Sequence, residues 1–337
     1  MTFDSLDAFG THMNWHRLNL DLDGSVSAQE ELQAHLADRL ELRGLQDRLR
    51  LYATSSGRAV LRKAILEHRV LHQQPWLTFI GSGDYHHATA LLLETLPAHA
   101  HPVTLVLIDN HPDWFEMPLR YHCGTWVATA LRLPWVESVI AIGLNSDDLR
   151  GHEFWFAPFR DLCSGRIALY PYSLDRVRVP LRWPARVLGA ASSLKHWFGS
   201  EITFDTVSKL GTDRLSQILS GRLAGKNVYI SIDKDVLDPV YALTDWEQGR
   251  LTLDDLVAII QTLCGSSNVV GADVCGEQAP DPLRGLWKRY DAGRLEDKRA
   301  KDWARVNELN QRTNLAILGA FEMGLVQPQT NASRICG

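Results

Sequence analysis

The chain has 337 residues, 45% of them apolar and 22% charged, with 24 Gly and 14 Pro. That balance excludes a disordered tail or a fibrous repeat and predicts a globule with a large core. Its 35 basic and 40 acidic residues leave a formal net charge of −5, the wrong sign for a protein that neutralises phosphate backbones, so nucleic acid is not expected as a main partner. Five widely spaced cysteines, Cys123, Cys163, Cys264, Cys275 and Cys336, form no Cys-x-x-Cys pair. They argue against a disulfide framework or a zinc knuckle and suit a reducing, cytoplasmic setting. Acids in Met1 to Asp7 stand where a secretory signal needs basic and apolar residues, and no apolar run approaches the roughly 18 residues that span a bilayer. The expectation is a soluble protein with no membrane partner.

In chain order, the alternation Leu18-Asn19-Leu20-Asp21-Leu22-Asp23-Gly24 predicts a strand ending in a turn. Asp21-x-Asp23-Gly24 lacks the remaining ligands of a calcium loop. Ser27 to about His72 carries a long, charged helical pattern, with Ser27 and Glu30 as a capping box. From Trp76 onward, short β-branched or leucine-rich runs alternate with helical stretches: Leu77 to Ile80, Val103 to Ile108, Ser138 to Ile142, Ile167 to Tyr170, Val228 to Ile232 and Asn268 to Ala272. This is the pattern of a three-layer α/β/α fold with a central parallel sheet. Residues 1–72 read as a strand and helical extension packed on the core, and 73–337 as the main α/β domain, together one compact body. The mixed charges of residues 283–308, among them Lys288, Arg289, Arg294, Asp297 and Lys298, predict a solvated helix.

Two apolar runs end in metal-binding side chains. Val103 to Ile108 is followed by Asp109-Asn110-His111-Pro112-Asp113, and Val228 to Ile232 by Asp233-Lys234-Asp235. Alternate residues of extended chain point the same way, so Asp109, His111 and Asp113 can converge, as can Asp233 and Asp235, with Lys234 directed away. Both clusters lie at the carboxyl ends of parallel strands, where open α/β sheets bind ligands. Carboxylates crowded there cost several kcal/mol for each uncompensated ion, and a divalent metal pair is the natural counter-charge. Carboxylates and imidazoles without cysteine favour Mn²⁺ over Fe²⁺, Ni²⁺ or Zn²⁺. Ile80 to Ala88, a further strand end entering a helix, offers one histidine, His86 or His87, as a ligand. His122 in Tyr121-His122-Cys123-Gly124-Thr125 and Glu277 after the last apolar strand are candidates for proton transfer and substrate anchoring.

These residues resemble the ureohydrolase superfamily of arginases and agmatinases. Asp109-x-His111-x-Asp113 is similar to its Asp-Ala-His-x-Asp motif, and Ser231-x-Asp233-x-Asp235-x-x-Asp238-Pro239 matches Ser-x-Asp-x-Asp-x-x-Asp-Pro at every defined position. Val139 to Leu144 is similar to the intervening strand ending Ile-Gly-Leu, and His122-Cys123-Gly124-Thr125 to His-Gly-Thr with one residue inserted. The resemblance covers about Leu77 to Met323. It implies an arginase-like fold with two Mn²⁺ per chain, bridged by Asp109 and Asp233; His86 and Asp113 would complete one ion's shell, His111 and Asp235 the other's. It further implies hydrolysis of a free guanidino compound or a peptide-borne arginine to urea and an amine, with Glu277 on the guanidinium and His122 as proton shuttle, in a homo-oligomer. Three departures point to an altered substrate pocket: Ser82-Gly83-Asp84-Tyr85-His86 for Gly-Gly-Asp-His, the longer spacing from Asp273 to Glu277, and Tyr241 to Trp246 in place of Ala-Pro-x-Thr-Gly. Trp114, Phe115, Trp126 and Trp246 are expected to serve packing. Gly83 to Ala88 also resembles the Gly-Gly-x-His-His-Ala of zinc deacetylases, the alternative within the broader fold; a non-catalytic metal-binding relative is a third reading.

Overall fold

Every residue of Val103–Ile108 is buried, which a strand achieves only when both faces of its sheet are covered. The structure, a computed structural model, describes residues 14–116, 121–150, 153–179, 191–196, 200–296 and 299–323. In chain order its strands are β1 (His16–Asp21), β2 (Asp38–Glu41), β3 (Trp76–Ser82), β4 (Val103–Ile108), β5 (Val136–Ile142), β6 (Ile167–Tyr170), β7 (Arg176–Val179), β8 (Ala191–His196), β9 (Ser200–Phe204), β10 (Asn227–Asp233) and β11 (Asn268–Glu277). Among the described residues eight of these form one sheet in the order β2-β1-β3-β11-β10-β4-β5-β6, parallel at every pairing, while β7-β9-β8 make a small antiparallel sheet.

Strand pleating divides the core. Val103, Leu105 and Leu107 of β4, with Val139 and Ala141 of β5, pack on one face beneath the helices Ser55–Leu71, Ala88–Glu94 and Trp126–Ala130. Val106, Ile108, Ile140 and Ile142 pack on the other, beneath Thr212–Leu223, Leu253–Ser266 and Trp303–Met323. Alternate residues of one strand thus serve opposite layers. Helix Ser55–Leu71 starts where the Thr54 hydroxyl accepts from the Gly57 N–H at 3.0 Å, and it buries Leu61, Ile65 and Arg69, four residues apart. Among the described residues no helix is long and apolar enough to cross a membrane.

The long helix expected from Ser27 to His72 is overturned. Asp38–Glu41 leaves it as strand β2, pairing Leu18 with Asp38 and Leu20 with Leu40 at the sheet edge; its alternation of half-buried and exposed positions is the period-two signal that charge density masked. Ser27 caps nothing there: its hydroxyl accepts from Asn19 Nδ2 at 2.9 Å.

Because β3 and β4 are consecutive in sequence but separated by β11 and β10, the chain switches direction across the sheet between them. Such a switch opens a crevice at the carboxyl strand ends. The expected side chains gather there.

Candidate metal centre

Asp109 follows β4, Asp233 closes neighbouring β10, and both are buried. The convergence of the first motif does not come from strand alternation. β4 ends at Ile108, and the following loop brings Asp113 back with a left-handed φ of 47°, a conformation aspartate tolerates better than most residues. Trp126 Nε1 then fixes Asp113 Oδ2 at 2.7 Å. Asp235 lies in a single 3₁₀ turn, Lys234–Val236, closed by the Asp235 N–H donating to Asp233 Oδ1 at 3.0 Å. Gly143, which ends the Ile-Gly-Leu strand at φ +95°, is required there: a Cβ would lie 2.3 Å from Val236 Cγ2 of that turn.

The additional residue in Ser82-Gly83-Asp84-Tyr85-His86 is taken up by a 3₁₀ turn, Gly83–Tyr85, that buries Tyr85 completely. It brings His86, not His87, to the acids. His86 Nδ1 lies 3.0 Å from Asp113 Oδ2, 3.4 Å from Asp109 Oδ2 and 3.5 Å from Asp233 Oδ2. Its other nitrogen lies 2.9 Å from Ser231 Oγ, which donates its own proton to Asp273 Oδ1 at 2.8 Å. Nε2 must therefore donate, and in the neutral ring Nδ1 presents a lone pair to the acids. Across the cluster, His111 Nδ1 stands 2.9 Å from Asp235 Oδ2 and 3.7 Å from Asp109 Oδ1. His87 turns elsewhere: it is buried edge-on to Tyr121, and neither ring nitrogen has a hydrogen-bond partner.

The crowded acids favour positive charge between them. Burial, then Asp235, pushes Asp233 up to about 7; burial, then Asp109, does the same to Asp235. Burial alone would depress the imidazoles, but Cys275, Asp109 and Asp113 outweigh it at His86, and Asp235 and Asp109 at His111, raising both well above the usual value. Asp109 Oδ2 and His86 Nδ1 are buried without a hydrogen-bond partner, and three overlapping groups bring potential ligand atoms within 4.8 Å of one another: Asp109 with His111 and Asp235, Asp109 with His86 and Asp113, and Asp233 with His86 and Cys275. This donor set fits divalent cations.

A cysteine does stand at the site, contrary to the sequence reading. Cys275 Sγ donates to Asp233 Oδ2 at 3.1 Å, and burial, then Asp233, pushes its thiol well up, so it serves as a donor to the acid. Glu277 is corrected too. The additional residue, Gly276, takes φ +90° in a bulge of β11, and the Glu277 carboxylate forms a buried ion pair with Lys234 and accepts from Asn314 Nδ2 at 2.7 Å. Glu277 is not among the residues that line the cavity over the acids. His122 is: Gly124 N–H donates to its Nδ1 at 2.9 Å, and its Nε2 stands 4.0 Å from Asp291 Oδ2.

That cavity, of about 1080 Å³, has a wall that sequence reasoning missed. Asp84 is fully buried, and its carboxylate accepts from Arg50 Nε at 2.8 Å and Trp246 Nε1 at 3.1 Å and pairs with Arg294 Nη1 at 2.9 Å. Burial would raise Asp84, but Arg294 and Arg50 hold it below the usual carboxylate range. Arg294 comes from the stretch expected to be solvated, yet stacks over Trp246 at 4.4 Å; Asp297 and Lys298 of that stretch lie outside the described residues. Only the buried turn that shapes Asp84 could have signalled this network, since its partners Arg50, Trp246 and Arg294 lie 34, 162 and 210 residues away in sequence.

Comparison with known proteins places this geometry. Residues 194–282 match the model of the arginase family. An uncharacterized protein of Thermotoga maritima is 26% identical over 220 residues, an alignment spanning 65% of this chain and 64% of that relative. Among solved structures, proclavaminate amidino hydrolase of Streptomyces clavuligerus superposes with a TM-score of 0.56 at 16% identity, covering 94% of both chains. The arginase of Entamoeba histolytica, in complex with L-ornithine, gives 0.56 at 12% identity over 93% of this chain and 99% of that one. At such identities the two structures establish the fold, which is theirs.

Proposed function

We propose that the chain is a ureohydrolase and works as a binuclear manganese amidinohydrolase, cleaving a guanidino C–N bond to release urea, a reading supported by the arginase-family match of residues 194–282 and by the shared fold. The observation that carries this reading is that His86, Asp109, His111, Asp113, Asp233 and Asp235 fall into overlapping groups of potential ligands beside an open cavity. His86 and Asp113 would hold one ion and His111 and Asp235 the other, with Asp109 and Asp233 shared. When bound, such ions supply an activated water and stabilise developing negative charge. Relay Asp273–Ser231–His86 keeps the His86 lone pair aimed at the site.

In the reaction the oxygen of water replaces the substituted amine on the guanidino carbon, and the leaving nitrogen must gain a proton. His122 lines the cavity and is our candidate to give it: as the imidazolium it would pass a proton to the amine and return to the neutral ring, which requires its Nδ1 to leave the Gly124 N–H from which it accepts in this structure. Because Glu277 is engaged by Lys234, a different carboxylate must hold the guanidinium. Asp148 lines the same cavity, is raised to about 6 by burial, and interacts with His111 and Asp113; we assign it that role. Arg284, Arg289 and Arg299 also line the cavity and suit a substrate with a carboxylate at its far end, a free guanidino acid or an arginine at a peptide terminus. The test is urea release from the Mn²⁺-loaded chain across guanidino acids, agmatine and arginyl peptides. Guanidino acids should be turned over fastest, and Asp148→Asn should raise KM more than it lowers kcat. Silence from every guanidino compound overturns the reading.

A further inference from the structure

A second group of metal-ligating side chains lies at the opposite rim of the sheet. His16 opens β1, Asp38 opens β2, and His68 and His72 lie one turn apart at the end of helix Ser55–Leu71. His16 Nε2 is 2.8 Å from His68 Nε2, and Asp38 Oδ2 is 3.5, 3.8 and 3.3 Å from the Nε2 atoms of His16, His68 and His72. Four potential ligand atoms thus lie within 4.8 Å of one another. We infer that His16, Asp38, His68 and His72 form a structural zinc site that clasps the edge of the sheet to this helix.

The chemistry favours zinc. Three imidazoles and one carboxylate complete a tetrahedral shell with no position left open, the mark of a structural rather than a catalytic ion. At a zinc–nitrogen distance of about 2.0–2.1 Å, tetrahedral ligand atoms stand roughly 3.3 Å apart, and the separations here, 2.8 to 3.8 Å, bracket that value. Capture of the ion requires each imidazole to carry its proton on Nδ1, replaces the His16–His68 hydrogen bond, and turns His72 out of its stack on His16, where the ring centroids are 4.0 Å apart. His72 is the helix C-cap, so its side chain can turn without disturbing the interior of the helix.

Placement supports a clasp. β2 is the sheet's edge strand and lies against β1 alone, through Leu18–Asp38 to Asp21–Glu41. An ion held by β1, β2 and the helix ties three elements at one point. It lies at the amino ends of the strands, away from the proposed catalytic centre at their carboxyl ends, so its loss should leave urea release unchanged.

The test compares the full-length chain with His68→Gln/His72→Gln after removal of metal and titration with Zn²⁺. The native chain should hold one zinc more than the variant by elemental analysis, and zinc should raise the thermal midpoint of the native chain more. Asp38→Asn alone, a change confined to a half-exposed side chain, should likewise lose one zinc and covers the case in which the double variant misfolds. In an Asp109→Ala/Asp233→Ala background, absorption at the zinc edge should show three imidazole nitrogens and one oxygen. Equal zinc content in native chain and variants, or a shell without imidazole, overturns the inference.

Discussion

Lys234 is fully buried beside Glu277, and the ion pair is completed by Asn314 on the last helix. A buried pair adds little net stability, but removal of one partner leaves an uncompensated charge and costs about 3–5 kcal/mol. Lys234→Met should therefore lower stability by about that much in denaturant titration, and Lys234→Met/Glu277→Gln should recover most of it. A double variant as unstable as the single one would mean the pair is not the reason. Ser231→Ala probes β10, the strand that leads into the Lys234 turn. It removes the acceptor that fixes the His86 tautomer, and metal affinity should fall about 10–100-fold with the fold intact, read by competition with a chelator. At this scale the sequence was legible where side chains are spaced along one segment: Asp109, His111 and Asp113, or Asp233 and Asp235. It was not legible for Arg294, Arg50 and Asp84, which meet only in three dimensions, nor for the pairing of Glu277 with Lys234, of which only the longer spacing from Asp273 gave a sign.

Between β10 and β11, the geometry of a strand end decides what the site contains. Gly276 at φ +90° leaves so little room that a Cβ would stand 2.3 Å from Asp233 Oδ1 and 2.6 Å from the Lys234 nitrogen. Gly276→Ala should cost about 1–3 kcal/mol from backbone conformation alone and displace Asp233, so its metal content should drop along with its thermal midpoint. Normal metal content in this variant would mean that the bulge is tolerant and that Asp233 is held by other contacts. Bulges escape a sequence reading because they change register without changing composition. β3, β4, β5, β6, β10 and β11 were legible because burial on both faces demands unbroken apolar runs. β2 was not: an edge strand of four residues with three charges carries the composition of a solvated helix, and only its pairing with β1 distinguishes it.

Acid should act on the whole molecule through groups of opposite sign. Burial, then His122 and His86, depresses His87 from 6.5 to about 3. Between those values the folded state binds fewer protons than the unfolded chain, so stability is complete above pH 6.5 and is lost as pH falls toward 3. Asp23 and Asp273 run the other way. Burial raises both to about 6, so between their unfolded value and pH 6 they take up protons on folding, and their penalty eases as the solution is acidified. From pH 7 to pH 5 the His87 loss is about 2 kcal/mol, and each of these two acids returns about 1 kcal/mol. His87→Phe keeps an aromatic ring against Tyr121 and removes only the first. Stripped of metal, that variant should gain about 2 kcal/mol relative to the parent between pH 7 and pH 5, measured by urea titration at each pH. Parallel pH profiles for the two proteins would show that His87 is not buried as a neutral ring. With metal bound, both proteins should lose stability faster over the same range, because His86, His111 and the acids must exchange ions for protons.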